Sequence, residues 1–275
     1  MKKQSKAEIK LMIFGIIKAL IVISAIFAPY ICPYDPYEQD LSIAYQSPNA
    51  MHLMGTDVFG RDMLSRIIIG GRVSILSTLL LVLSIALFGT LIGIICGYFE
   101  GKIDTVIMRL SDSCLAFPGL VFALAVAAIL GGGIVNAVIA LAAISWPKYS
   151  RVARGLTLSI KNSTFVAASR LAGSNLFQII VRHILPNILG PILVTATLDI
   201  GTMMMELAGL SFLGLGAQPP VAEWGSMMSQ GRSMLQTYPW VVLSPGLAIF
   251  ISVAAFNLFG DAFRDVIDPK SKAIN

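Results

Sequence analysis

The sequence predicts an all-α integral membrane protein with six transmembrane helices. The 275 residues are 56% hydrophobic and only 13% charged, whereas a soluble domain carries about 25% charged residues. Apolar runs near the ~20 residues needed to cross a bilayer recur along the chain. The segments between them alternate between basic loops, typical of the cytoplasmic side, and loops rich in Pro, Tyr and Asp. This topology explains the net charge of +5, so a lipid bilayer is the expected surrounding and nucleic acid is not an expected partner.

The first predicted span follows a basic N-terminal tail. Its apolar run has about 20 residues, which is the length of a full membrane crossing. Because no cleavage site follows, we expect a retained helix rather than a signal peptide. The six predicted spans are Ile9–Ile31, Val73–Tyr98, Asp104–Leu130, Ile134–Tyr149, Asn187–Leu213 and Trp240–Phe259. Both termini are then cytoplasmic. Residues 1–71 are predicted to form the first span and an extracytoplasmic segment, and residues 72–275 a core of five spans.

Glycine and proline positions refine the second, third and fourth spans. Gly89, Gly93 and Gly97, at four-residue spacing, predict a surface for close helix packing. The uncharged run that follows Asp112 is too long for one crossing at 1.5 Å per residue. The three glycines at 131–133 are therefore predicted to separate the third span from the fourth, and Pro118 is predicted to kink the third.

A basic, acid-free segment separates the fourth and fifth spans. Lys148 to Leu185 contains six Lys and Arg residues and no Asp or Glu, which places it on the cytoplasmic side. Residues 165–186 predict a short helix with a small-residue face, a turn at Gly173, and a second helix closed by Pro186 before the next span. We interpret the segment as a docking loop for a cytoplasmic partner; the alternative is an ordinary basic loop.

Charged residues also cluster in the extracytoplasmic segments. Asp57, Arg61 and Asp62 lie close enough in sequence to pair with one another. Two interpretations stay open: a charge-paired cap, or a contact surface for a protein that delivers substrate. Glu223 and Trp224, between the fifth and sixth spans, are candidates for the same contact.

Polar residues within the spans are the candidates for a translocation pathway. Asp199 and Glu206 are seven positions apart and therefore lie on one face of the fifth span. Ionisable groups inside a span indicate a pathway or a partner interface, and Met203 lies between them with Asn257 as a weaker candidate on the sixth span. The alternative is that Asp199 lies at a helix–helix contact and the methionines are packing. Metal ligands stay unknown, because three consecutive methionines point to different faces and do not form one cage.

The sequence offers no catalytic centre. Its two histidines, His52 and His183, lie in loops, so neither an intramembrane Ser–His pair nor an H-E-x-x-H zinc site is expected. The segment from Gly97 to Ile103 is not a P-loop, because the spacing of its glycines is wrong and Ile follows the lysine. We therefore predict a protein that is not an enzyme and does not itself bind ATP.

Several motifs resemble binding-protein-dependent ABC importer permeases. Phe165 to Pro186 resembles their coupling-loop pattern E-A-A-x3-G-x9-I-x-L-P, with Ala167 in place of the Glu and His183 in place of the Ile. More specific resemblances to the second permease of the dipeptide, oligopeptide and nickel group cover most of the chain. They are GTDVFGRDMLSR from Gly55, AGLSFLGLGAQPP from Ala208, EWG from Glu223 and NLFGDAFRDVIDP from Asn257.

This resemblance implies a type I ABC importer permease in a bacterial cytoplasmic membrane. The implied partners are a sister permease in a heterodimer, two cytoplasmic ATPases and an extracytoplasmic solute-binding protein, with ATP and magnesium bound on the ATPases. A coupling loop at about 148–186 would dock on an ATPase and turn its closure into rearrangement of the spans. The implied docking residues are Ala167, Ala168, Ser169, Arg170, Gly173, Leu185 and Pro186, and the implied binding-protein contacts are Asp57, Arg61, Asp62, Glu223 and Trp224.

The resemblance leaves the substrate open. AASRLAG from Ala167 and the segment from Ala196 to Gly216 look closer to nickel-system permeases, so we expect import of nickel, free or chelated. The alternative is import of dipeptides or oligopeptides by the same mechanism. A secondary transporter is less favoured, because the two halves of the chain show no repeat of the kind such proteins carry.

Overall fold

Helices make up the regular secondary structure of the residues described, and no strand is found among them. The structure is a computed structural model, which describes the backbone of residues 2–267 and the side chains of residues 7–267. The helices are α1 Lys2–Ile26, α2 Ala28–Ile31, α3 Met63–Phe99, α4 Gly101–Leu115, α5 Gly119–Ile129, α6 Ile134–Ile160, α7 Thr164–Leu171, α8 Leu176–Ile179, α9 Leu185–Phe212, α10 Trp224–Gly231 and α11 Trp240–Ile267. The end of the motif that starts at Asn257, and the rest of the predicted C-terminal tail, lie outside the described residues.

Helices α3 and α6 form the closest helix pair of the core. A Cβ atom added at Gly89 would lie 2.6 Å from the Trp146 carbonyl oxygen, and one at Gly97 would lie 2.8 Å from the Arg154 carbonyl oxygen. At Gly93 the corresponding atom would overlap the backbone of α6. The absence of side chains therefore lets the two backbones touch over two helical turns, which confirms the predicted packing surface and identifies its partner.

Four described helices are long and apolar enough to cross a membrane. They are Ala7–Ile26, Met63–Phe99, Leu176–Phe212 and Trp240–Ile267. The bent pair α4 and α5 would make a fifth crossing if it counts as one span. Helix α6 has 27 residues, but Lys148, Arg151 and Arg154 lie in its C-terminal half. Its uncharged part is therefore too short to count as a membrane-crossing helix by length and apolar composition. The sixth crossing therefore stays a prediction.

The third predicted span differs most from expectation. A kinked single helix over Asp104–Leu130 is wrong: α4 and α5 meet at 95° across a short break that contains Pro118. Proline cannot donate the backbone hydrogen bond that would continue the helix. Helix α4 also carries Asp104 and Asp112 and is less apolar than α5.

Helix α9 is continuous with the segment before it. The predicted stop at Pro186 is wrong, because the chain stays helical from Leu176 to Phe212, 37 residues in all. Ile180–Ile184 forms one π-helical stretch, in which the Leu185 N–H donates to the Ile180 carbonyl oxygen. This widened turn accommodates the missing N–H of Pro186, a common role of π-bulges within helices.

A further difference concerns the start of the second span, and one contact concerns a lysine inside the first. Helix α3 begins at Met63, ten residues before the predicted start at Val73, and it runs through position 71, where we divided the chain. That division stays a prediction. In α1, the Lys18 ammonium lies 3.6 Å from the centre of the Phe259 ring of α11, so this intramembrane cation contacts protein through a cation–π interaction.

Candidate functional site

The segment between α6 and α9 folds as the sequence predicts up to its turn. Helix α7 ends at Leu171, and Gly173 has φ +85°, in the left-handed region that glycine adopts without strain. The Asn175 side chain accepts from the Gln178 N–H at 2.9 Å, and the Gln178 side chain accepts from the Asn175 N–H, also at 2.9 Å. This reciprocal capping box starts α8. The loop therefore supplies its own hydrogen-bond partners at the turn.

The predicted docking residues lie mostly on the outside of this loop. Val166 and Ile179 are buried and anchor it to the rest of the chain. Ser169 and Leu185 are half-buried, and the Ser169 hydroxyl donates to the Ser174 hydroxyl oxygen at 2.8 Å. The remaining predicted docking residues, Ala167, Ala168, Arg170, Gly173 and Pro186, are exposed. Leu171, between them, is 91% exposed. An apolar side chain this exposed beside small residues forms a surface that a partner can cover.

The segment between α2 and α3, which is predicted to be extracytoplasmic, folds into a cap tied to α10 and α11. The Tyr45 ring stacks on the Tyr238 ring at 4.3 Å, and the Trp240 indole N–H donates to the Thr56 carbonyl oxygen at 3.2 Å. Burial, aided by the nearby Asp57 carboxylate, raises the pKa of Tyr45. On the exposed rim, hydrogen bonds from the Ser42 hydroxyl and N–H lower the pKa of Asp40.

Asp57 is the centre of the buried charge cluster in this cap. Its carboxylate accepts from Arg61 Nε at 2.7 Å and lies 3.5 Å from Arg66 Nε. It also accepts from the backbone N–H groups of Phe59 and Arg61. All three charged side chains are more than nine-tenths buried, so the cluster is stable only because its members are mutually paired.

Asp62, Glu223 and Trp224 hold helix ends in place. Asp62 caps α3 by accepting from the Ser65 N–H at 2.8 Å. Glu223 caps α10 by accepting from two backbone N–H groups, and it also accepts from the Ser74 hydroxyl of α3 at 3.0 Å. The Trp224 indole N–H donates to the Ile67 carbonyl oxygen at 2.9 Å. These contacts join the two extracytoplasmic segments into one body.

The five predicted contact residues of the extracytoplasmic side are therefore all buried within the chain. Of the two interpretations, the structure favours the charge-paired cap. Contact with a binding protein through these side chains stays a prediction. In the conformation described, such a protein would touch the rim that these side chains support.

In the interior of the bundle, Asp199 has a partner that sequence reasoning missed. The Lys148 ammonium of α6 donates to Asp199 Oδ1. The other oxygen, Oδ2, is buried without a hydrogen-bond partner, and so is the Tyr149 hydroxyl, which lies close enough to Asp199 to interact with it. Lys148 is predicted to begin the basic loop; its place inside the fourth predicted span, one residue before Tyr149, is the signal that it can face the interior of the bundle.

The other predicted pathway residues differ in how they relate to this pair. Glu206 is half-buried and within electrostatic range of both Asp199 and Lys148. Met203 is buried. Asn257 is half-buried and packs where a Cβ at Gly201 would be, so it lies at the contact between α9 and α11. Among residues 2–267, no group of three or more His, Cys, Asp or Glu side chains is arranged to hold a metal ion.

A row of ion pairs joins α6 to α4 and to the residue between α3 and α4. These pairs were not predicted from the sequence. Asp104 accepts from Arg154 Nε at 2.6 Å. The other pairs are Glu100 with Lys161 and Asp112 with Arg151. A cleft of about 490 Å³ opens beside this row. The spacing of the three acids along one face of α4 and its N-cap was the available signal.

Two family descriptions cover most of the chain. Residues 89–273 match the family described as "Binding-protein-dependent transport system inner membrane component". Residues 11–48 match "N-terminal TM domain of oligopeptide transport permease C". The described helices of the core and the first span therefore each have a counterpart among known transport proteins.

Curated relatives match over nearly their whole length. The chain is 43% identical to the dipeptide transport system permease protein DppC of Haemophilus influenzae, over 98% of this chain and 92% of that protein. It is 43% identical to the glutathione transport system permease protein GsiD of Pectobacterium atrosepticum, over 94% and 86%. It is 44% identical to the di/tripeptide permease DppC of Pseudomonas aeruginosa, over 92% and 86%.

The fold has a solved counterpart. A chain of the MetNI methionine ABC transporter in an inward-facing conformation aligns with a TM-score of 0.56 at 20% identity, covering 75% of this chain and 98% of that one. At this identity the likeness concerns the arrangement of helices alone.

Proposed function

We propose that this chain carries short peptides. The premise is its family: the chain belongs to the binding-protein-dependent transport system inner membrane components, as a C-type ABC importer permease of the dipeptide and oligopeptide group. It has the type I importer fold, and its relatives are permease subunits, not enzymes. ATP hydrolysis belongs to separate ATPase subunits, and a binding protein supplies the substrate.

The substrate proposal follows the alternative that the sequence left open. The relatives are named for dipeptides, di- and tripeptides, and glutathione, which is itself a tripeptide. The preference for nickel, free or chelated, rested on the look of two short segments and is not supported by these names. The single observation that carries the peptide proposal is identity of 43–44% over nearly the full length of such permeases.

The partner proposal assigns the α7–α8 loop to one ATPase. Its exposed alanines, its open Gly173 turn and the exposed Leu171 support docking into a groove of that subunit. A sister permease would complete a heterodimer, and a second ATPase would dock on that subunit. ATP and magnesium would be held by the ATPases. Both termini of this chain would then lie in the cytoplasm.

The pathway proposal concerns Asp199, Met203, Glu206 and Asn257. The burial of Asp199 against Lys148 and the partial exposure of Glu206 support a polar route beside α9. Polar and ionisable residues inside the membrane face a bundle interior or a water-filled cavity, because lipid exposure is costly. The pathway would open and close as the spans rearrange.

The test is ATP-dependent uptake of a radiolabelled dipeptide, and separately of radioactive nickel, into proteoliposomes. The vesicles hold this chain with the sister permease, the ATPases and the binding protein. A Gly173→Trp variant places a large side chain on the proposed docking turn. Gly101→Trp is the matched control, since Gly101 also has positive φ and nothing lies within 4 Å of a Cβ built at either glycine.

We expect dipeptide uptake that Gly173→Trp abolishes and Gly101→Trp leaves within about twofold. Nickel uptake without dipeptide uptake would overturn the substrate proposal and keep the mechanism. Uptake that proceeds without ATP and tolerates Gly173→Trp would indicate a secondary transporter and overturn the importer mechanism for this chain.

A further inference from the structure

We propose that Lys148, Asp199 and Glu206 form a binding site for the two charged termini of a short peptide inside the membrane. Glu206 would bind the α-ammonium group, and Lys148, released from Asp199, would bind the α-carboxylate. The proposal rests on the proposed function and adds to it the part of the peptide that this chain recognises.

The three side chains lie at suitable depths. Lys148 is near the middle of α6 and Asp199 near the middle of α9, two helices of 27 and 28 residues. Glu206 is seven residues further along α9, about 10 Å at 1.5 Å per residue, toward the extracytoplasmic end. Both side chains lean toward the N-terminus of α9, so their axial separation stays at about 10 Å, and Glu206 is within electrostatic range of both Asp199 and Lys148.

The site contains unused hydrogen-bonding capacity. Asp199 Oδ2 and the neighbouring Tyr149 hydroxyl are buried and make no hydrogen bond in the geometry described, and buried polar groups left unsatisfied are destabilising. The Asp199 side chain is only 4% exposed, whereas that of Lys148 is 55% exposed. A half-exposed ammonium at this depth would be costly against lipid. This face of α6 and α9 is therefore suited to a water-filled route or to the substrate.

The charges of the site fit a zwitterion. Two carboxylates face one ammonium group, so the cluster has a net charge of −1 when all three are ionised. The α-ammonium of a peptide would pair with the Glu206 carboxylate and its α-carboxylate with the Lys148 ammonium, so each terminus would meet a side chain of opposite charge. An extended dipeptide spans about 7 Å. Its two ends would be held by Glu206 and by Lys148, whose partner Asp199 lies ~10 Å from Glu206 along α9, and these two long, partly exposed side chains can close the difference.

Lys148 would exchange its partner between Asp199 and the peptide carboxylate, and this exchange would let the peptide enter and leave the site. Before a peptide arrives, Lys148 is neutralised by Asp199. A carboxylate that binds Lys148 leaves Asp199 free for the Tyr149 hydroxyl, which already lies beside it. When the peptide leaves toward the cytoplasm, the original ion pair re-forms, and this exchange keeps binding weak enough for release.

The first test uses Glu206→Gln and Lys148→Gln in the complete importer. The measured quantity is uptake of radiolabelled alanyl-alanine per ATP hydrolysed, with loaded binding protein present. We expect uptake per ATP to fall about tenfold in each variant, while ATP hydrolysis stays within about twofold of wild type. Glu206→Asp and Lys148→Arg, which keep the charges, should retain at least half of the uptake. Glu100→Gln, which removes a carboxylate from a different ion pair, is the matched control and should leave the ratio unchanged.

The second test needs no variant and therefore does not depend on variant folding. Benzoylphenylalanyl-alanine, a photoreactive dipeptide, is added to the wild-type importer during turnover and crosslinked by light. We expect the crosslinks on this chain to map to α9 around Glu206 and to α6 around Lys148.

The outcomes separate this inference from the proposed function. Dipeptide uptake by wild type with an unchanged ratio in both Gln variants, or crosslinks confined to other helices, would overturn the site alone. If wild type takes up no dipeptide, the proposed function is overturned and the site with it.

Discussion

The cap between α2 and α3 and the α7–α8 loop both connect predicted spans, yet they are built in opposite ways. In the cap, Asp57, Arg61 and Arg66 are buried and paired with one another. In the loop, Arg170 is exposed and Leu171 is 91% exposed. The cap is attached to three other helices, whereas the loop is anchored mainly through Val166 and Ile179.

The difference indicates which region carries its interactions internally and which offers them to another protein. A buried ion pair is destabilising unless both partners remain, so residues such as Asp57 specify one conformation of the cap. Exposed small and apolar side chains add little to the stability of the isolated chain and leave surface for a partner. Substitutions in the cap should therefore alter folding, and substitutions in the loop should alter coupling.

The largest effect expected is from Asp57→Asn. Loss of the charge leaves Arg61 and Arg66 buried beside an amide, so the free energy of unfolding should fall by about 3 kcal/mol. The measurement is denaturant or thermal unfolding of the purified importer in detergent. Arg170→Gln, in the loop, is the matched control; it removes only an exposed cation–π contact with the Tyr98 ring and should change stability by less than about 1 kcal/mol. Equal effects of the two variants would contradict the comparison.

The second prediction compares two glycines with positive φ. Gly60→Ala forces a Cβ into the Asp40 backbone carbonyl, in addition to the strain of φ +71°, and should cost about 2–3 kcal/mol. Gly173→Ala, at φ +85° with nothing within 4 Å of the new atom, should cost only about 1 kcal/mol. The same unfolding measurement applies. If Gly173→Ala is the more damaging variant, the loop is packed more tightly than its surface indicates.

The third prediction concerns Glu223→Gln. The amide can still accept one of the bonds from Gly225 and Ser226, but it loses the second acceptor oxygen and the charge at the N-terminus of α10. We expect a loss of about 1–2 kcal/mol. Uptake per ATP should stay near wild type in the fraction that remains folded. A loss of uptake at unchanged stability would instead support direct contact with the binding protein.

The smallest effect expected is from Asn175→Ala, which removes the capping box of α8. The cost should be about 1 kcal/mol, confined to the loop. Hydrogen–deuterium exchange of amides at 176–179 should accelerate about fivefold, while exchange in α3 stays unchanged. Acceleration in both regions would mean that the loop and the core open together.

Patterns that depend on local spacing were predicted from the sequence. The Gly89, Gly93 and Gly97 stripe identified a close helix contact, because four-residue spacing places small residues on one face. The turn at Gly173 followed from the conformational freedom of glycine. The spacing of the glycines does not indicate which helix packs against them, so α6 could not be identified from the sequence as the partner of α3.

Features that depend on contacts between distant segments were missed or wrong. Pro118 predicted an interruption, but the 95° turn depends on how α4 and α5 pack. Pro186 reads as a helix stop unless a π-helical turn absorbs its missing N–H, and that turn leaves no local sequence signal. Lys148 reads as part of a basic loop until α6 is known to extend to Ile160, which places it opposite Asp199.

The continuity of the helical stretch from Leu176 to Phe212 has a mechanical consequence. At 1.5 Å per residue its 37 residues form a lever about 55 Å long, with the α7–α8 loop at one end and Asp199 and Glu206 along its far half. A rigid tilt of about 10° about the end near Leu176 would displace Asp199 by about 6 Å. A displacement of that size exceeds the length of an ion pair, so a small rotation imposed on the loop would be amplified into a complete change of partners for Lys148.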